Sequence, residues 1–309
     1  MSKTAFVFPG QGSQVVGMLG DLSSEVAGLF AEASDVLGYD LWSLVSKGPE
    51  EQLNQTEFTQ PALLTASIAL YRLAMDRGIP TPNVVAGHSL GEYSALVAAD
   101  VLTFAEAVSL VQQRGQFMQS AVPVGEGGMA AVLGLDGKKV AEICREVCGD
   151  SVVQAANYNA PGQVVIAGAN AALERAIDAC KAAGAKRAMK LSVSAPFHSE
   201  LMKPAAEKMS RALDQVTFNT PSIRIVQNID AAFHSDPKLI KQNLVLQMYG
   251  AVRWTDSVNA MTADGVDLLV ECGPGKVLTG LAKRIDKTLS SLNIGNLDSL
   301  QAASETIGK

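Results

Sequence analysis

The sequence predicts an α/β chain: a mainly parallel sheet wrapped by helices, with a smaller β-α-β-β-α-β unit set into it. Three observations carry that prediction. Short apolar runs such as Thr4–Phe8 and Val266–Glu271 alternate with longer stretches of helical periodicity. The segment between about 125 and 194 has its own order of elements and opens on the glycine-rich Gly125-Glu126-Gly127-Gly128 after Pro123. Turn residues punctuate the junctions, as in Pro9-Gly10-Gln11-Gly12-Ser13 and Gly273-Pro274-Gly275.

In order, Thr4–Phe8 reads as a buried strand that stops at Pro9-Gly10. Ser23 to Val45 carries Val26, Leu29, Phe30, Ala33 and Leu37 at helical spacing, with a break near Gly38. Pro61 to Arg77 reads as a helix with proline in its first turn and Gly78 just past its end. Asn83–Gly87 is a short strand, and helical patterning resumes from Glu92 to Ala99. Thr103, with Glu106 three residues on, is a capping box for a helix running to about Ala121.

The middle segment reads as strand Met129–Gly134, helix Lys138–Val147, strand Val152–Asn157 and a turn at Ala160-Pro161-Gly162. Strand Gln163–Ala167, helix Ala171–Ala183 and strand Arg187–Val193 complete it. That order is the ferredoxin-like pattern. The expected division is therefore residues 1–124 with 195–309 for the larger unit, and 125–194 for the insert. The larger α/β alternation then returns with helix Glu200–Leu213, strand Ile223–Asn228 and helices near 237–249 and 254–263. Strand Val266–Glu271 and helix Lys276–Ile285 follow.

Composition narrows the function. Of 309 residues, 48% are apolar and 18% charged, so a buried core is easily supplied. The formal charge of -6 and 5% aromatics, with no aromatic-basic stripe, argue against nucleic acid and anionic membrane as partners. Cys144, Cys148, Cys180 and Cys272 form no C-x-x-C pair, and three scattered histidines do not complete a zinc site. Free thiols in a reducing compartment and no metal are the expectation. No run reaches the roughly 18 apolar residues of a membrane span, and the one within Met1–Gly10 is too short for a secretion signal. A cytoplasmic chain is expected, working as a monomer.

The sharpest chemical signal is Gly87-His88-Ser89-Leu90-Gly91, a G-x-S-x-G elbow between a strand and a helix. Such a turn needs small residues around it because the backbone crowds there. It lifts the Ser89 hydroxyl out at the sheet edge and frees the Leu90 amide to meet an oxyanion. A serine nucleophile needs a base, and the histidines are His88, His198 and His234. His88 adjoins Ser89, so on an elbow its side chain should point away. His234 lies in a polar stretch that reads as a surface loop. His198, in Ser194-Ala195-Pro196-Phe197-His198-Ser199, lies where a strand gives way to a helix, which is the edge that displays Ser89. His198 is therefore the expected base.

Taken together, the motifs resemble those of the malonyl-CoA:acyl-carrier-protein transacylases along nearly the whole chain. The matching segments are Phe8-Pro9-Gly10-Gln11-Gly12-Ser13-Gln14, Gln60-Pro61-Ala62, Gly87-His88-Ser89-Leu90-Gly91-Glu92-Tyr93 and Gln113-Arg114-Gly115. Asn157-Tyr158-Asn159-Ala160-Pro161-Gly162-Gln163, Phe197-His198 and Glu271-Cys272-Gly273-Pro274-Gly275-Lys276 continue them in the family's order. The resemblance implies an α/β-hydrolase-like large subdomain with an inserted ferredoxin-like small one. It implies Ser89 as nucleophile, His198 as base, Arg114 as partner of the malonyl carboxylate, and the Gln11 and Leu90 amides as the oxyanion hole. It also implies that a backbone carbonyl, that of Gln247, orients the base where other serine enzymes use a carboxylate.

Two glycine-rich loops invite other readings. Val15 stands where G-x-G-x-x-G needs its third glycine, and Gly273-Pro274-Gly275-Lys276 lacks the spacing of a phosphate-binding loop. Gly10 and Gly12 instead let the Gln11 amide approach a reacting carbonyl. Arg114 is the lone Lys or Arg between Arg77 and Lys138, and a planar guanidinium can grip a free carboxylate with two parallel bonds. Phe197 resembles the malonyl-preferring relatives; Gln60, Met118 and Asn159 are expected to line the pocket. An acidic carrier protein needs a basic patch on this acidic chain. Lys181, Lys186, Arg187 and Lys190 cluster in the insert, with Lys186 and Arg187 as the expected docking pair. The expected function is malonyl transfer from malonyl-CoA to the carrier's phosphopantetheine thiol for fatty acid synthesis, with no cofactor beyond the thioester. The alternatives are a thioesterase or esterase of the same architecture, a non-catalytic carrier-binding protein, and an acyltransferase serving a polyketide pathway.

Overall fold

The structure is a computed structural model that describes residues 3–123, 125–193 and 195–307. The chain opens with β1 (Thr4–Phe8) and helices α1 (Ser23–Leu37), α2 (Leu41–Lys47), α3 (Glu50–Leu53) and α4 (Thr56–Asp76). Next come β2 (Val84–Gly87), α5 (Gly91–Ala98) and α6 (Phe104–Gln119). The middle segment holds β3 (Gly127–Leu133), α7 (Gly137–Val147), β4 (Val153–Ala160), β5 (Gln163–Ala169), α8 (Asn170–Ala182) and β6 (Arg187–Lys190). Then follow α9 (Lys203–Leu213), β7 (Arg224–Val226), β8 (Phe233–His234), α10 (Pro237–Gln247) and α11 (Trp254–Ala263). The chain continues through β9 (Leu268–Cys272), α12 (Val277–Ile285), β10 (Ser290–Ile294) and α13 (Leu297–Ile307).

The larger sheet has the order β10-β9-β1-β2-β7-β8 and is parallel from β10 to β7, with β8 added antiparallel at the edge. Every residue of β1 and β2 is buried, as expected of parallel strands covered by helices on both faces. Phe6 and Phe8 point into one core with α4, α5 and α6, while Ala5 and Val7 join Trp254, Val258 and Leu278 on the other face. Period-2 alternation within β1 thus feeds two separate cores.

The smaller sheet has the order β4-β5-β3-β6 and is antiparallel. α7 and α8 cover one face through Val132, Val164 and Ile166. Met129, Val165 and Ala167 on the opposite face pack into the core of the larger part. One register irregularity in β4 falls between Ala155 and Asn157 and another between Tyr158 and Ala160, and Asn157 there bridges to Val252. A bulge re-aims side chains, and here Asn157 and Asn159 both face the cleft between the sheets.

Some boundaries differ from the sequence reading. α4 starts at Thr56, so Pro61 lies in its second turn. The Gln55 carbonyl already accepts the Phe58 and Thr59 amides, so a later proline forfeits a single bond within a helix held by burial. β6 stops at Lys190, because Leu191–Val193 leave the sheet to line the cleft. His234 sits in a two-residue strand, its Nε2 2.7 Å from Asp230 Oδ2. β10 and α13 extend the α/β alternation beyond Ile285, where the sequence reading stopped. The junction residues Val124 and Ser194 lie outside the described residues.

Candidate active site

The carboxyl ends of β1, β2 and β7 converge on one crevice, the usual place for a site in an open parallel sheet. Ser89 leaves β2 with φ +53°, a left-handed conformation that a side chain adopts only under constraint. Gly87 and Gly91 make that turn possible. A Cβ on Gly91 would lie 2.0 Å from the Phe8 carbonyl oxygen, and one on Gly87 would lie 1.9 Å from the Gly91 carbonyl. Asn228, just past β7, pins the turn: its Oδ1 accepts the Ser89 amide at 2.7 Å and its Nδ2 donates to the Gly87 carbonyl at 2.7 Å.

His198 also has a left-handed backbone, with φ +59°, and is buried. Its Nε2 lies 2.7 Å from Ser89 Oγ and its Nδ1 2.8 Å from the backbone oxygen of Gln247, at the end of α10. A carbonyl can only accept, so Nδ1 carries the proton and Nε2 is left to accept from the serine hydroxyl. Burial, reinforced by the nearby Arg114 charge, presses the imidazole down to about 3 against the opposing pull of the Gln247 carbonyl. The ring is neutral at ordinary pH.

Arg114, from α6, is fully buried. Nη1 donates to Gln60 Oε1 at 2.8 Å; Nη2 donates to Gln247 Oε1 at 2.8 Å and to Ser89 Oγ at 3.2 Å. Its Nε has no partner among the described residues, and its guanidinium carbon lies 5.7 Å from the centre of the Tyr93 ring. Gly115 lets α6 sit close to α4, since a Cβ there would come within 2.6 Å of the Glu57 Cα. That approach brings Gln60 against the guanidinium.

A cavity of about 550 Å³ opens above Ser89, lined among others by Gln11, His88, Met118, Asn159, Phe197 and His198. The structure thus brings Ser89, His198, Gln11, Met118, Asn159 and Phe197 to one space. Gln60 differs from its expected place: it is buried behind the cavity and holds Arg114 rather than lining the pocket. His88 also borders the cavity, with Nε2 2.8 Å from Asn159 Oδ1. The Leu90 amide lies at the start of α5, and a Cβ on Gly10 would meet the His88 carbonyl oxygen at 2.6 Å. That glycine allows the Gln11 loop to close on the elbow.

The sequence reading gave no role to Glu92, Gln227 or Asn228, which form a buried polar layer beneath the site. Glu92 stands in the motif after the elbow, and that position was the available signal. Lys186 and Arg187 are exposed at the start of β6, at the other end of that strand from the Leu191–Val193 rim of the cavity. Lys190 and Lys181 are engaged with Glu174 and Asp178 at 2.7 and 3.4 Å. All four cysteines are free thiols. Among the described residues, no cluster of His, Cys, Asp and Glu could hold a metal, and no helix is long and apolar enough to cross a membrane.

This geometry has close counterparts. The family model described as the acyl transferase domain matches residues 5–303. The malonyl CoA-acyl carrier protein transacylase of Escherichia coli K12 is 54% identical over 308 residues, covering 99% of this chain and 100% of that one. The protein of that name from Bacillus subtilis 168 is 45% identical over 99% of this chain and 98% of its own. A crystal structure of an acyl carrier protein S-malonyltransferase from Vibrio cholerae superposes with a TM-score of 0.96 at 54% identity, over 97% of this chain and 99% of that one. A malonyl-transacylase solved in complex with its type II PKS acyl-carrier protein gives 0.97 at 52% identity, over 99% of this chain and 100% of that one. Matched from Ala5 to Ala303 by the family model, and along nearly their whole length by these relatives, the chain belongs to the acyl transferase domain family.

Proposed function

We propose that this chain transfers the malonyl group of malonyl-CoA to the phosphopantetheine thiol of an acyl carrier protein, through an ester on Ser89, and so supplies malonyl carrier for fatty acid synthesis. The observation that carries the reading is the 3.2 Å contact between Arg114 Nη2 and Ser89 Oγ. It places a buried cation within one acyl group of the nucleophile, where the free carboxylate of a malonyl ester would lie. The relatives that bear a malonyl transacylase name support the same donor and acceptor.

The chemistry follows from the groups present. His198 Nε2 takes the Ser89 proton as the oxygen attacks the thioester carbonyl. The negative charge that develops on that carbonyl oxygen faces the Gln11 and Leu90 amides. The C–S bond breaks, the coenzyme A sulfur takes the proton from His198, and malonyl-Ser89 remains. The carrier thiol then gives its proton to His198 and attacks the ester, and Ser89 recovers its proton as it leaves. The acyl group arrives and departs as a thioester, so nothing is oxidised and no further cofactor enters the balance.

In the same reading, residues 1–124 with 195–309 form the catalytic subdomain and 125–194 the insert. Lys186 and Arg187 meet the acidic carrier, and a single chain works in the cytoplasm. Intact mass after mixing with malonyl-CoA or acetyl-CoA tests the proposal, followed by addition of holo carrier protein. A malonyl adduct that is absent from Ser89→Ala and moves to the carrier is the expected result. Release of free malonate as fast as carrier transfer would make the chain a thioesterase instead.

A further inference from the structure

Glu92, in the first turn of α5, is fully buried and lies beneath the site. Its carboxylate accepts from Gln227 Nε2 at 2.8 Å, from the Asn228 amide at 2.9 Å and from Gln247 Nε2 at 3.2 Å. All three partners are donors, and none offers an acceptor for a carboxylic proton. Burial pushes the Glu92 pKa up, while these N–H groups and Arg114 oppose the shift.

The Gln247 side chain spans the gap between Glu92 and Arg114. Its Nε2 donates to Glu92 and, at 3.0 Å, to the Ser89 carbonyl; its Oε1 accepts Arg114 Nη2 at 2.8 Å. An amide between an acceptor-only carboxylate and a donor-only guanidinium has one satisfied orientation. Turned over, it would set NH₂ against guanidinium and oxygen against two oxygens, inside a buried network where unsatisfied groups are costly. Gln227 is locked in the same sense, since its Oε1 accepts Asn243 Nδ2 at 3.0 Å.

We propose that Glu92 is a positioning residue for donor choice: it fixes the polarity of the Gln247 amide, and Gln247 in turn aims the Arg114 guanidinium at the acyl group on Ser89. The interposed amide matters as much as the charge. A direct Glu92–Arg114 pair would consume the guanidinium that a malonyl carboxylate needs, whereas an amide relay balances the buried cation and leaves it available. This inference rests on the malonyl reading above and adds to it the residue that holds the selecting cation in place.

The test is Glu92→Gln in the full chain, with kcat/KM for malonyl-CoA and acetyl-CoA and a thermal melt. A neutral amide has a single, uncharged accepting oxygen, so it cannot keep all three N–H bonds and holds the Gln247 amide less firmly. Since a hydrogen bond to a charged group is at stake, malonyl-CoA should lose about tenfold more than acetyl-CoA. Equal losses for both donors, or no change in either, overturn the inference. Where Glu92→Gln does not fold, Gln247→Leu decides, because it keeps the backbone carbonyl behind His198 and removes the relay, together with a bond to the Ser89 carbonyl whose loss bears on both donors alike. The same donor-selective loss is expected there, and equal losses overturn the proposal. A wild-type chain that takes both donors equally well sinks the malonyl reading and this inference with it. A malonyl-preferring wild type with an unselective variant sinks the inference alone.

Discussion

Arg114 donates to the Ser89 hydroxyl across 3.2 Å, so the residue proposed to choose the substrate touches the residue proposed to be acylated. With Arg114→Ala, a malonyl carboxylate would be buried without its partner. Breaking one side of such a pair costs roughly 3–5 kcal/mol, or roughly 10²–10³ in kcat/KM. Acetyl-CoA brings no carboxylate and should escape most of that loss, so the donor preference should shrink or reverse. Parallel measurements with both donors check this. Equal losses in a folded variant would make Arg114 a structural residue.

His198, the proposed base, governs the expected pH behaviour. Its pKa falls from 6.5 to about 3, chiefly through burial, so the imidazole stays neutral throughout the ordinary range. The acylation rate should therefore show no decline centred near pH 6.5, and a burst of coenzyme A release followed from pH 8 to pH 5 measures it. Stability behaves differently. Below 6.5 the unfolded chain's imidazole takes up a proton that the folded one refuses until about 3, so this contribution is lost as pH falls through that window. His198→Ala should lower the rate roughly 10²–10⁴-fold, and His234→Ala, far from the cleft at the sheet edge, should leave it nearly unchanged. A reversed pattern would reassign the base.

The carrier surface is tested by charge reversal. Lys186→Glu with Arg187→Glu should raise the apparent KM for carrier protein at low salt and leave acylation by malonyl-CoA unaltered, because rim charges act on association. Both residues are exposed at the start of β6. Unchanged carrier kinetics at low ionic strength would move the docking face elsewhere.

Two glycine-to-alanine changes should have opposite signs. Gly91→Ala drives a methyl group against the Phe8 carbonyl and should cost about 1–3 kcal/mol or more, the range of overpacked sites. Gly28→Ala, within α1 and with open space where its methyl group would stand, should gain about 0.5–1 kcal/mol. Thermal melts of both decide. A neutral Gly91→Ala would mean that the elbow can relax.

Much of this was legible because the signals are local. The Thr103–Glu106 box, the Gly38 break and the strand-turn-helix around Ser89 each lie within a few residues, and the structure places each accordingly. The bulged β4 and the early departure of β6 were not, since cleft contacts rather than propensity set them. Gln60 shows the difference at a single residue. The motif placed it near the pocket, but only packing of α4 on α6 turned it toward Arg114.

By itself the sequence determined the α/β architecture, and it pointed to an inserted unit, a serine elbow and His198 among three histidines. Those rest on periodicity, turn chemistry and elimination, which are properties of short segments. The tertiary structure decided that Glu92, Gln247 and Arg114 form one relay under Ser89, across sequence separations of 155 and 133 residues. No local pattern encodes that relay, because its orientation comes from donors and acceptors that meet only when buried. There an unpaired group is costly enough to leave a single arrangement.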